Sequence, residues 1–148
     1  MLRLIGVLVM LAATAACAGE EAFRIEGASF NVIVHRDNPM MAITRAELSA
    51  IYMKRTRSWR DGHEIVPVDQ PVSSAVRERF SRSIHGKNVA YVTRYWQRLI
   101  FSGRGIPPRQ LQNDAAVLEL VENNPDAIGY IAGDLPPDDS VKVLTVMP

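Results

Sequence analysis

An α/β domain built on one core is what this 148-residue sequence predicts, and three observations carry that reading. Short runs rich in β-branched residues, at Phe30–Val34, Ile65–Val68, Ala127–Ile131 and Val141–Val146, have the composition of strands. Between them lie stretches whose apolar residues recur three and four apart, the helical period. Once a leader-like N-terminus is set aside, about 130 residues remain, which is enough for one domain and too few for two.

The elements follow in order. Phe30–Val34 reads as a buried strand, central to its sheet, closed by the turn residues Arg36-Asp-Asn-Pro39. Thr44 and Glu47 form a capping box at the start of a first helix running to about Met53, with Ile43 and Leu48 as a hydrophobic staple. Leu48 and Ile51 are its inward residues. Asp61-Gly62 marks a turn before the strand Ile65–Val68, in which Pro67 argues for an edge or an irregular ladder. Ser73 or Ser74 caps the next helix, which buries Val76, Phe80 and Ile84 and ends at Gly86. A third helix, from Asn88 to about Phe101, buries Val92, Tyr95, Trp96 and Leu99. Asn113 caps a fourth, with Asp114 suited to the helix dipole and Val117, Leu120 and Val121 inward, until Pro125 stops it. Two closing strands follow.

The N-terminus has the order of a secretory signal: Arg3, the apolar Leu4–Leu11, then small residues to Ala16-Cys17-Ala18. An apolar run of about ten residues falls short of the roughly twenty needed to cross a bilayer, so export with cleavage is expected rather than a retained span. Cleavage after Ala18 gives residues 1–18 as signal peptide and 19–148 as the mature domain, without the only cysteine. The alternative makes Cys17 a lipidated first residue. Acidic and basic residues nearly cancel and read as mixed along the chain, which lacks the basic excess of a nucleic-acid binder.

Catalytic and metal-binding patterns are not found in the sequence. His35, His63 and His85 are far apart, and no His-Glu-x-x-His motif, serine elbow or Walker loop occurs. An enzyme, a cofactor and a metal site are therefore not expected. His85 reads as a cation at a helix C-terminus beside the left-handed Gly86. The segment suggesting chemistry is Ser73-Ser-Ala-Val-Arg77. A helix start offers free amides and partial positive charge, the hydroxyls of Ser73 and Ser74 add donors, and Arg77 could fold a guanidinium over an oxyanion. The plainer reading has one serine capping, the other in a loop, and Arg77 on the solvated face, off the Val76/Phe80 packing side. The cluster Lys54-Arg-Thr-Arg57 with Arg60 suits an anion, an acidic partner or a lipid surface, or is simply a solvated loop.

From about Phe30 to Gly133 the chain resembles the phosphate-binding solute-binding proteins of ABC transporters. The pieces are the strand entering Asn38-Pro39, the helix Ile43-Thr-Arg-Ala-Glu-Leu-Ser-Ala-Ile-Tyr52, the turn Trp59-Arg-Asp-Gly62, the Ser/Arg helix start followed by Phe80, and Asn124-Pro-Asp-Ala-Ile-Gly-Tyr130. It is more closely similar to a short exported group named after that family, through Tyr95-Trp96, Ile100-Phe-Ser-Gly103 and Pro107-Pro108. The resemblance implies a single periplasmic-binding-protein-like lobe, a mixed sheet flanked by helices, and phosphate or another small oxyanion as ligand in uptake or sensing. It implies Ser73, Ser74 and Arg77 as anion-binding residues, although the glycine and threonine of the family's Ser-Gly-Thr-Arg loop are missing. A helix terminus worth up to about 2 kcal/mol and a charge-assisted hydrogen bond of about 1.5 to 3 reach only about millimolar affinity. Tighter binding would need a second copy or a periplasmic or membrane-protein partner. The competing expectation is a ligand-free interaction module acting through Lys54 to Arg60.

Overall fold

A computed structural model describes residues 30–135 and 137–148. The expected signal peptide and Cys17 therefore lie outside the described residues. Among the described residues six strands form one mixed sheet in the order β2-β6-β1-β5-β3-β4. They are β1 (Phe30–His35), β2 (Ala42–Thr44), β3 (Val66–Asp69), β4 (Arg109–Gln110), β5 (Ala127–Ala132) and β6 (Val141–Met147). The described residues also form four α-helices, α1 (Arg45–Tyr52), α2 (Ala75–Phe80), α3 (Val89–Phe101) and α4 (Asp114–Glu122), with a π-helical turn, Ser81–His85, prolonging α2.

β1 is central as expected, antiparallel to both β5 and β6, whereas β2–β6, β3–β5 and β3–β4 pair parallel. Five strands thus run one way and β1 runs against them. Alternation along β1 and β5 splits the core into two faces. Val32, Val34, Ile128 and Tyr130 meet α1, α2 and the π turn through Leu48, Ile51, Tyr52, Phe80 and Ile84. Ile33, Val68, Ala127 and Ile131 pack on the other side with Val117 and Val121 of α4. Gly129 lets α4 approach β5, since a Cβ there would lie 2.6 Å from Val117 Cγ1.

Local chemistry accounts for most boundaries. The Thr44–Glu47 capping box is complete, with Thr44 Oγ1 accepting from the Glu47 amide at 3.1 Å and Glu47 Oε2 accepting from the Thr44 amide at 2.9 Å. Asn88 and Asn113 cap α3 and α4 through their side-chain oxygens. Two short strands escaped the sequence reading: β2 merges with the residues read as the helix staple, and β4 is two residues long. Of the two expectations for Pro67, the irregular ladder holds and the edge position does not, since β3 lies between β5 and β4. It tolerates that place because β4 pairs only with Val68 and Asp69, leaving no ladder partner on that side of Pro67. Helix α3 forms an outlying layer, burying Val92 and Trp96 against Met53, with Tyr95 and Leu99 partly covered.

Candidate functional site

The carboxyl ends of β3 and β5 lie together, and the chain leaves β3 through Gln70-Pro-Val-Ser-Ser74 into α2. Beside this segment begins α4. A hollow of about 270 Å³ opens there, lined by Gln70, Ser73, Ser74, Gln112, Asn113 and Asp114 among others. Open α/β sheets place ligands at this location, outside the strands' carboxyl ends and against helix N-termini.

Each predicted residue has a definite place. Ser74, not Ser73, is the N-cap: its Oγ accepts from the Arg77 amide at 3.2 Å and donates to Gln70 Oε1 at 2.7 Å. Ser73 is exposed, and its hydroxyl has no hydrogen bond to any described residue. The first-turn amides of Ala75 and Val76 likewise lack a partner among the described residues, as helix starts do. Arg77 corrects the sequence expectation of a solvated side chain, being 4% exposed. Helical side chains lean toward the N-terminus, so a residue one turn into α2 reaches back over the end of β3. There Arg77 Nη2 pairs with Asp69 Oδ2 at 2.9 Å and Nη1 donates to the Gln70 carbonyl at 2.6 Å.

Asp69 and Gln70 were not singled out in the sequence, and they organise the floor. Asp69 accepts from Arg77, from the Tyr130 hydroxyl and from the Gln70 amide. Three donors and no acceptor face it, which is the setting of a carboxylate. Burial pushes its carboxyl above the usual range, and the Arg77 guanidinium acts most strongly in the opposite direction. Burial also raises the Tyr130 hydroxyl, so it remains a donor at neutral pH. Gln70 Nε2 donates to Asp114 Oδ1 at 2.6 Å and to the Tyr130 carbonyl at 3.0 Å. Beneath, the Phe80 and Tyr130 rings stack at 3.9 Å. A usable signal was present: an aspartate closing an apolar strand, eight residues before an arginine at a helix start.

Electrostatically the hollow is less cationic than its motif suggests. The charge of Arg77 is balanced by Asp69, and Asp114 adds a carboxylate at the rim. What remains for an anion are two helix N-termini and neutral donors. The histidines do not join this site. His85 is corrected from a cap cation to a neutral ring, because burial, with Arg55 and Arg77 nearby, lowers its pKa to about 4. It pairs with Ser49 Oγ at 2.9 Å. His63 sits 3.2 Å from Asp126 on the surface. Among the described residues no cluster of three or more His, Cys, Asp or Glu could hold a metal ion, and no helix is long and apolar enough to cross a membrane.

Sheet order, helix placement and this hollow define an α/β lobe of the periplasmic-binding-protein type. Its fold is that of one lobe of phosphate ABC transporter substrate-binding proteins. A Clostridium perfringens protein described as such, solved with bound phosphate, matches with a TM-score of 0.65 and 23% identity over 80% of this chain and 44% of its own. An ABC-type phosphate transport receptor from Vibrio cholerae matches at 0.63 and 22%, covering 80% of this chain and 46% of that one. PstS from Borrelia burgdorferi matches at 0.54 and 14%, covering 80% and 47%. The chain thus spans less than half the length of these solved structures. No protein-family model matches this sequence, nor does any curated protein.

Proposed function

We propose that the chain is an exported, non-enzymatic solute-binding-type protein of the periplasm that receives phosphate or a similar small oxyanion in uptake or sensing. The observation that carries this reading is the hollow at the carboxyl ends of β3 and β5, bounded by the starts of both α2 and α4. Ser73 supplies a hydroxyl donor and the α2 start its free amides. Ser74 fixes that start by capping it. Arg77 supports the anion from below, through the Asp69 pair and the Gln70 carbonyl. Two helix ends and one neutral hydrogen bond amount to about 4 kcal/mol, a millimolar dissociation constant. Tight binding therefore requires a second surface over the hollow, from another copy or a periplasmic or membrane partner.

Calorimetric titration of the exported chain with phosphate and sulfate, in phosphate-free buffer, tests this. Millimolar binding, weakened several-fold in Ser73→Ala and tightened in Asp114→Asn, is expected, because the second change removes a like charge from the rim. A second reading, a ligand-free interaction module acting through Lys54 to Arg60, is favoured by the balanced charge of Arg77. Silence well above millimolar phosphate in all three proteins would overturn the first reading and leave the second.

A further inference from the structure

Near-cancellation of charge over the whole chain hides an asymmetry. Residues 79–113 contain seven of the seventeen basic residues and none of the sixteen acidic ones, so the remainder carries ten cations and sixteen anions. Most of that cationic segment is α3 and its flanks. Helix α3 turns Val92 and Trp96 inward, and its outer side presents Tyr91, Arg94, Arg98 and Phe101, spaced by three, four and three. Lys87 lies over the Tyr91 ring at 5.1 Å, and Arg104 follows the helix end. A single helix face about 20 Å long is thereby cationic throughout.

Its C-terminal end is also apolar and uncovered. Phe101 is 90% exposed, Ile106 76% and Ile100 51%, while Gly103 in the left-handed region at φ 66° turns the chain between them. A phenylalanine normally contributes a large buried area to a core, and this one contributes almost none. Across a groove of about 640 Å³ from Ile100 and Ile106 stand Lys54 and Arg57. The acidic group lining that groove is Glu64. Exposed apolar side chains ringed by arginines match a bilayer interface, where rings and aliphatic groups enter the acyl boundary and guanidinium groups meet lipid phosphates.

We infer that the outer face of α3, with the Phe101–Ile106 tip, docks this protein on an anionic phospholipid surface. Charge complementarity selects the occupant: a cationic helix side without acidic residues suits a uniformly anionic plane. Protruding apolar residues suit a layer they can enter better than a rigid protein surface of fixed shape. The hollow beside α2 lies on a different part of the fold, so docking does not depend on the oxyanion proposal.

Flotation with two kinds of vesicle tests the inference, using the chain recovered in its exported, processed form. One kind contains phosphatidylglycerol and phosphatidylcholine, the other phosphatidylcholine alone. Binding is expected on the anionic vesicles, weaker on neutral ones, and reduced as salt rises. Loss of each cation near the surface should cost roughly fivefold, so Arg98→Glu/Arg104→Glu should abolish binding. Phe101→Ser should weaken it about tenfold with the charges intact. Phe101→Trp should blue-shift its emission and be quenched by brominated acyl chains. All these positions are on the surface, so circular dichroism should report an unchanged fold. Equal binding to both vesicle types, as a lipid anchor or retained leader would give, would overturn the proposal. So would charge-dependent binding indifferent to Phe101 and matched by polyglutamate, which would assign the face to an acidic protein.

Discussion

Replacing Arg77 with Met separates a surface ligand from an internal strut. The side chains of Arg77 and Asp69 are 5% and 10% exposed, and Arg77 also satisfies the Gln70 carbonyl at 2.6 Å. Removing one partner of such a pair leaves a buried carboxylate without its counter-charge, at a cost of about 3–5 kcal/mol. For a domain of this size that lowers Tm by roughly 10–20 °C. Urea unfolding followed by circular dichroism at neutral pH reads the loss. The sign of its pH dependence follows from linkage. Without Arg77 the Asp69 carboxyl rises further above its unfolded value, and a raised folded pKa favours the folded state below the unfolded pKa and loses that support as pH rises. The gap between variant and wild type should therefore narrow in acid. Asp69→Asn added to Arg77→Met should recover about 2 kcal/mol, since no charge is then stranded, while Asn Oδ1 can still accept from Tyr130. A change within about 1 kcal/mol for Arg77→Met alone would refute the strut, that being the range of an exposed ion pair.

Three further outcomes are expected. His85 has a pKa of about 4 when folded against about 6.5 unfolded, so the unfolded chain binds the extra proton between those values. Stability should fall by about 3 kcal/mol as pH drops through that window, and His85→Gln should flatten this part of the profile in chemical denaturation. Gly129→Ala should destabilise by about 1–3 kcal/mol, because its Cβ would press on Val117, and thermal melts would read it. Lys54→Gly should stabilise by about 1 kcal/mol, since Lys54 holds φ at 52° where glycine is unstrained, and urea midpoints would show the increase.

Local rules carried the helix starts well. Thr44 and Asn113 cap as read, and Asn88, read only as the start of its helix, caps α3 too, because a cap needs only its own side chain and an amide two or three residues on. Strand β1 was legible as central because both of its faces are apolar in the sequence. The two short strands were not, since Ala42–Thr44 and Arg109–Gln110 owe their pairing to β6 and β3 rather than to their own composition. At the hollow, the pair Ser73-Ser74 was legible as the approach to a helix start, which Ser74 caps. The role of Arg77 was misjudged because helical spacing tells which residues share a face, not which charge waits beneath it.

By itself the sequence determined the α/β class and the caps at Thr44 and Asn113, which follow from neighbours a few residues apart, and the likeness to one lobe of a phosphate-binding protein, which follows from the order of several short segments. Only the tertiary structure decided that Arg77 belongs to Asp69, that His85 is neutral and that Phe101 faces outward. Those outcomes depend on groups brought together across the chain, where burial and charge set protonation and pairing. A local pattern such as the eight-residue spacing of Asp69 and Arg77 can suggest a pair, but the burial that makes it matter is set by the folded core.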